Sequence, residues 1–301
     1  MVTTTGMHLE KVLEHHKEWL EKRAGGVRAD LTGYVMAESR LEGATLSQAI
    51  LRGVTLMESE LAEAQLQQAS LEMADLRKAV LSGADLTGAD LTQAQMDHVW
   101  MPNASLSEAK LVGVAMRKAN LQGTRFLDAS LQGCDLSWSN AAKSSFHQAR
   151  IFECVFTDVT LEKALLFRAR VQLSRFRGAN LTEANFTGAQ VLDCDFTRAE
   201  FGDAKFPKVT LTRSNFFRAN LSFCDFREGV LKAASFVGAT LRGARFGGAN
   251  LFTADFRGAD LSGARELTAE QLTQALTDSD TILPNGTNGP YLRRSGAERP
   301  R

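Results

Sequence analysis

The chain has 301 residues, 35 of them basic and 35 acidic, with 44% hydrophobic and 23% charged residues, a composition that excludes wholesale disorder. Its formal net charge of zero removes any bulk pull toward nucleic acid or an anionic membrane, so charge acts locally and direct nucleic-acid binding is not expected. No apolar run approaches the roughly 18 residues that span a bilayer, and four cysteines without a Cys-x-x-Cys pair argue against a disulfide framework or a zinc site.

In chain order, residues 1–6 are expected to be a flexible N-terminus; they carry neither a basic nor an apolar leader region, which predicts a cytoplasmic protein. Residues 7–26 are expected to hold an amphipathic capping helix. From His8 to Arg23, Leu9, Val12, Leu13, His16 and Leu20 share one face, Trp19 lies beside it, and Gly25-Gly26 follows the end.

Residues 29–264 are governed by a period of five. From Leu31 to Leu261 a large apolar residue occupies 46 of 47 successive centres, Ala141 being the exception, so the period is the primary fold signal. Two residues before each centre the side chain is small, as at Ala29, Ser39, Ala44 and Ala49, and only Tyr34 breaks this pattern. A period of five is neither helical nor a plain strand, so the chain must turn once per repeat. Residues two apart in an extended segment point the same way, which places the small and central residues inside and the other three positions outside or in the turn. Glycine recurs two after the centre, as at Gly43, Gly83 and Gly258, where a tight turn needs freedom in φ.

Segments such as Ala84-Asp85-Leu86-Thr87-Gly88, Ala89-Asp90-Leu91, Ala179-Asn180-Leu181-Thr182 and Ala259-Asp260-Leu261-Ser262-Gly263 resemble the A(D/N)LxX motif of the pentapeptide-repeat family over the whole of 29–264. The resemblance implies an all-β solenoid, a right-handed quadrilateral parallel β-helix with four repeats per coil. It gives about twelve coils and a rod of roughly 55 Å at about 4.8 Å per coil, with short α-helical caps at both ends. Residues twenty apart would then stack. Phenylalanine centres obey that spacing at Phe156, Phe176, Phe196, Phe216, Phe236 and Phe256, and on the opposite side at Phe126, Phe146, Phe186, Phe206, Phe226 and Phe246. Leu and Met centres give way to Phe near Ala141, where two sub-halves meet and a loosely packed coil is expected.

An open stack of strands needs caps. Residues 267–284 are expected to supply the second one: Thr268 to Gln271 has the capping-box pattern, Leu267 and Leu272 form a staple, and the helix should run to about Leu276. Residues 285–301 are rich in Gly, Pro and charge and are expected to be a disordered tail.

No catalytic, cofactor or metal site is predicted. His8, His15, His16, His98 and His147 join no metal-ligand spacing, and Cys134, Cys154, Cys194 and Cys224 all occupy the small inward position. Under the implied stacking, Cys134 and Cys154 would lie close enough for a disulfide, although a reducing cytoplasm would keep them as thiols. The expected protein therefore performs no chemistry and binds through its outward positions.

Residues 29–140 hold 14 acidic and 8 basic residues, whereas 141–264 hold 12 and 17, so the two halves differ in sign. Arg175, Arg177, Arg198 and Arg218 form a basic strip on the side carrying Phe176, Phe196 and Phe216, interrupted by Asp195. Outward apolar residues, which the repeat does not require, are Phe152, Leu192 and Phe252 with Val112 on one side, and Phe167, Leu173, Phe217 and Phe223 elsewhere. The preferred expectation is a bacterial scaffold for an unidentified protein partner. The family resemblance implies two alternatives: a DNA-mimicking protector of DNA gyrase or topoisomerase IV, and a secretion-system accessory or secreted effector. It also implies homodimerisation through the C-terminal helix. Duplex DNA carries a charge about every 1.7 Å, whereas the 26 acidic and 25 basic residues of the repeats nearly cancel, so mimicry is disfavoured.

Overall fold

In a computed structural model, which describes the backbone of residues 2–3 and 6–300, the protein is a parallel β-solenoid with few helices. The repeat Ala89 to Gln93 shows why the sequence folds this way, because each of its five amides has one destination. The Ala89 amide closes a turn onto the carbonyl of Leu86 at 3.0 Å, and that of Asp90 reaches back one coil to Ala69 at 3.0 Å. Those of Leu91 and Gln93 reach forward one coil to Lys110 and Val112 at 2.8 and 2.7 Å. Only Thr92 lacks a backbone acceptor, and Asp90 Oδ1 accepts its amide at 3.0 Å. The Asp or Asn before the centre is thus an Asx cap for the one orphaned donor, a role repeated by Asp85, Asn180, Asn185 and Asp260. The same bonds hold Asp90 below the usual carboxylate range, with help from Lys110 and against the opposing effect of burial.

The chain divides into two compact units, Met1–Arg150 and Ile151–Arg301. In the first, α1 (Gly6–Leu20) is shorter than the segment His8 to Arg23 read from the sequence. The flexible start is corrected at β1 (Val2–Thr3), which pairs in parallel with β2 (Tyr34–Val35) on the open edge of the first coil; Met1, Thr4 and Thr5 lie outside the described residues, as does the His8 side chain. His16 is fully buried between Ala29 and Ser47, and Trp19 stacks on it with ring centroids 5.6 Å apart. Gly26 abuts the backbone of α1 at Trp19 so closely that a Cβ there would collide with main-chain atoms.

Beyond the cap, parallel bridges step by twenty residues, from Asp30 to Ile50, Ser70, Asp90 and Lys110. That column continues as β3 (Lys110–Val112) against β4 (Ser130–Gln132). Twenty residues at five per side give four sides per coil, called first to fourth here from centres Leu31, Met36, Leu41 and Leu46. The loosely packed coil expected at Ala141 keeps its register, with Asn120 bridged to Asn140 and Arg125 to Ser145. Ala141 is fully buried, and Ser144 Oγ donates to its carbonyl at 2.6 Å. Ser139 Oγ is buried without a partner among the described residues.

The strand β5 (Arg150–Phe152) has the same form, and in the second unit β6 (Arg170–Gln172) pairs with β7 (Gln190–Leu192) on the first side. Phenylalanines fill the core. From Phe156 to Phe256 on the second side, successive rings stack at 4.5–5.0 Å, and a shorter ladder from Phe186 to Phe246 runs on the fourth at 4.9–5.3 Å. The ladders meet edge to face, as at Phe246 and Phe256 with planes 89° apart. Phe201, outside both series, lies between them and meets Phe196 at 5.4 Å.

The end of the second unit is α2 (Ala269–Gln274), capped by the Thr268–Gln271 box, with Leu267 and Leu272 buried beneath it. Helix α2 is shorter than expected because the chain returns to a coil-like path, bridging Leu276 to Asp255 and Ile282 to Asp260. The segment expected as a disordered tail folds back as turns. Leu283 donates to Thr287 at 2.8 Å, Tyr291 to Thr277 Oγ1 at 2.9 Å, and Ala297 is buried.

Candidate partner-binding surface

Outward positions decide what the surface offers. Five arginines of the second unit are closely paired with a carboxylate: Arg213 with Asp193, Arg227 with Asp225, Arg242 with Asp260 and Arg245 with Glu266, each at 2.6 Å, and Arg257 with Asp255 at 2.7 Å. The Arg213 guanidinium beside Asp193 holds that carboxyl below its usual range.

The basic strip has no such close pair. Arg175, Arg198 and Arg218 are exposed and have no carboxylate within ion-pairing distance among the described residues. Arg177 reaches Asp195 only at 3.9 Å. Asp195 is already engaged, accepting from the Thr197 amide at 3.0 Å, the Thr197 hydroxyl at 2.5 Å and Asn215 Nδ2 at 3.3 Å. It interrupts the strip in sequence but neutralises little of it. Arg175 and Arg177 flank the Phe176 centre on the second side; Arg198 and Arg218 occupy the turn toward the third, with the Arg218 guanidinium 5.0 Å from the centre of the Phe217 ring.

The structure does not bring all ten sequence candidates together. The four arginines and half-buried Phe217 share the second side and its turn, and half-buried Phe152 and Leu192 lie two coils apart on the adjoining first side. At the turn between those sides, Glu153, Cys154, Leu173 and Arg175 line a groove of about 400 Å³. Phe167 lies on the fourth side under Arg168 at 5.0 Å. Phe252 lies three coils beyond Leu192, under Lys232 at 5.8 Å, and lines a groove of about 540 Å³ against α2. Phe223 stands apart at the turn from third to fourth side, its ring over Gly243, where a Cβ would come within 2.7 Å of it.

Within the repeats, sequence reasoning missed five exposed apolar side chains: Met73, Trp100, Trp138, Leu165 and Val230. Their outward slots were the available signal. Met73, Trp138, Leu173 and Phe223 hold left-handed φ values of 51–60°, the turn conformation that this slot adopts throughout the repeats. Among the described residues no group of three His, Cys, Asp or Glu side chains is placed to hold a metal ion, and no helix is long and apolar enough to cross a membrane. All four cysteines are buried thiols.

A family model described as pentapeptide repeats matches residues 27–191 and 194–265 in overlapping segments. Among solved structures, the chain is similar to the pentapeptide-repeat protein Rfr23 from the cyanobacterium Cyanothece 51142, at 24% identity over 37% of this chain and 89% of that one, with a TM-score of 0.34. It is also similar to HetL from Nostoc sp. strain PCC 7120, a pentapeptide-repeat protein involved in heterocyst differentiation regulation, at 23% identity over 91% and 97%, with a TM-score of 0.22. QnrB1, a plasmid-mediated fluoroquinolone resistance protein, matches at 20% identity over 56% and 91%, with a TM-score of 0.24. No curated protein matches the chain.

Proposed function

Because the chain belongs to the pentapeptide-repeat family, we propose that it is a binding scaffold whose second unit holds an acidic protein partner on the strip Arg175, Arg177, Arg198 and Arg218. The observation that supports this is the clustering of four arginines on one side and its turn without a close carboxylate. Arg175, Arg198 and Arg218 have no ion-pair partner among the described residues, Arg177 reaches Asp195 only at 3.9 Å, and Arg218 lies over the half-buried Phe217 ring. Arginine over an aromatic face is also the side-chain chemistry enriched at interface hot spots. The family's DNA-mimic reading finds less support. Five of the 14 acidic residues of 29–140 pair with a neighbouring base, among them Asp97 with Arg117 at 2.5 Å, Glu58 with Lys78 at 2.7 Å and Asp90 with Lys110 at 2.9 Å, which lowers the net charge such a reading needs.

The test is affinity capture from native cytosol at low and moderate salt. It compares the wild type, the reversal Arg175→Glu, Arg177→Glu, Arg198→Glu and Arg218→Glu together, and a control reversal at Lys205 and Lys208 on another side. The expected result is a protein retained by wild type and control and lost by the quadruple variant. Retention by all three, or loss from both variants alike, refutes the strip; recovery of a type II topoisomerase replaces the scaffold with the mimic.

A further inference from the structure

The basic strip has a counterpart on the same chain. Around the third-side centres Leu41 and Leu61, Glu38, Glu42, Glu58, Glu60 and Glu63 are all exposed, with Arg40 and Lys78 among them. Lys78 engages Glu58 at 2.7 Å. Glu38, Glu42, Glu60 and Glu63 have no base within ion-pairing distance among the described residues. This patch of the first unit keeps a net negative charge, as the strip of the second unit, four arginines around Asp195, keeps a net positive one.

The two surfaces also share a pitch, because the same coil builds both. Glu38 and Glu58 stand two residues after successive second-side centres, as Arg198 and Arg218 do, with φ of 57° and 58° against 58° and 54°. The Glu38 amide reaches forward one coil to the carbonyl of Met57 and the Arg198 amide to that of Phe217, both at 2.9 Å. Each pair is thus one coil apart, about 4.8 Å. Phosphates along one nucleic-acid strand recur at about 3.4 Å, and one face of an α-helix repeats at about 5.4 Å. A partner made of the same repeats meets the strip row for row.

We infer that the acidic partner of the strip is a second copy of this chain, which sets its Glu38, Glu42, Glu60 and Glu63 against Arg175, Arg177, Arg198 and Arg218. The inference rests on the reading of the strip as a dock for an acidic protein and names that protein. Strip meets patch rather than another strip, so the contact is heterologous and each copy brings one half of it; association ends in a closed ring or continues as an open chain. Exposed ion pairs are individually weak and screened by salt, so the assembly is reversible.

The test reads the weight-average mass of the full chain by analytical ultracentrifugation up to about 200 µM, a range suited to weak contacts. Mass above the monomer is expected at about 0.1 M salt, where the screening length is about 10 Å, and the monomer alone at about 1 M, where it is about 3 Å. The strip variant Arg175→Glu, Arg177→Glu, Arg198→Glu and Arg218→Glu, and the patch variant Glu38→Lys, Glu42→Lys, Glu60→Lys and Glu63→Lys, should each weaken association at least about tenfold. One chain carrying both sets should recover it, because reversed strip then meets reversed patch. A control joins the strip variant to Glu10→Lys, Glu14→Lys, Glu108→Lys and Asp128→Lys; it has the same net charge and should stay monomeric. These slots already hold Glu58, Glu60 and Glu72 or Lys78, Lys110 and Lys232 elsewhere in the repeats, so the variants keep the fold, which circular dichroism verifies. A monomeric wild type at low salt, association that survives either reversal, or a double set no better than the control overturns the inference. The strip itself is judged separately: a monomeric wild type that still captures a different acidic protein, lost on strip reversal, overturns the second copy and keeps the dock, whereas capture indifferent to strip reversal overturns both.

Discussion

The Nδ1 atom of buried His16 accepts the amide of Ala29 at 3.1 Å, which fixes the ring hydrogen on Nε2, 3.0 Å from the carbonyl of Ser47. Burial pushes the His16 pKa down; the Ser47 bond opposes this, and the Arg28 charge adds to it. Protonating Nδ1 would set two donors against each other. The unfolded chain takes up the proton near pH 6.5 and the folded chain only at lower pH, so the unfolded state binds more protons in between. Stability is therefore complete above about pH 6.5 and falls as pH drops toward the folded pKa. Urea midpoints should be lower at pH 5 than at pH 7.5. His16→Ala should cost about 1–3 kcal/mol at neutral pH and flatten that difference. An identical pH slope in wild type and variant would place the linkage elsewhere.

Phe216 and Phe217 are adjacent, yet one is in the ladder and the other outside. Phe216 stacks on Phe196 at 4.9 Å and on Phe236 at 5.0 Å and is fully buried. Phe216→Ala should cost about 3–5 kcal/mol through lost transfer energy and a cavity that rigid neighbours cannot close. Phe217→Ala gives up an exposed cation–π contact worth about 0.5–1 kcal/mol. Denaturant unfolding of the two variants should differ accordingly; comparable losses would mean the core relaxes around a missing ring.

The sequence made the solenoid legible because one rule recurs from Leu31 to Leu261, and the twenty-residue phenylalanine spacing agrees with the bridges Asp30–Ile50 and Val230–Asn250. The ends were less legible. The pairing of Val2–Thr3 with Tyr34–Val35 and the return of the chain at Leu276 and Ile282 answer open coil edges, a demand of tertiary structure that leaves no local periodicity. For the surface, residue type alone could identify Arg175 and Arg218 but not their charge balance. Whether Asp195 neutralises a neighbour depends on the turn bonds it already makes to Thr197. Trp100 and Trp138 were visible as apolar residues in outward slots.

Cys194 and Cys224 stand where the repeat prefers alanine, and burial pushes the Cys194 thiol up to about 12 and that of Cys224 higher still. Their sulfurs donate to the carbonyls of Leu192 at 3.3 Å and Phe201 at 3.2 Å. With the nucleophilic thiolate suppressed and access blocked, neither should alkylate in the native state at pH 8. Pulse labelling with iodoacetamide and mass spectrometry should show both modified only at the rate of unfolding, whereas rapid native labelling would reveal local opening of the core.

Gln271 closes the last coil with every polar atom of its side chain. Its Oε1 accepts the Thr268 amide at 2.8 Å, while Nε2 donates to the carbonyls of Phe246 and Ala249, both at 2.8 Å. Gln271→Met should cost about 1–3 kcal/mol because two edge carbonyls lose their donor in a buried site. Gln271→Glu should cost more at pH 7, since it sets a carboxylate oxygen against those carbonyls. That carboxyl would be held protonated in the folded state above the unfolded value of about 4.3. The folded state then binds more protons than the unfolded one, and stability rises as pH falls through the elevated pKa. The two variants should converge in urea midpoint between pH 7 and pH 5; a constant gap would mean that the cap has shifted and that Nε2 does not hold the coil closed.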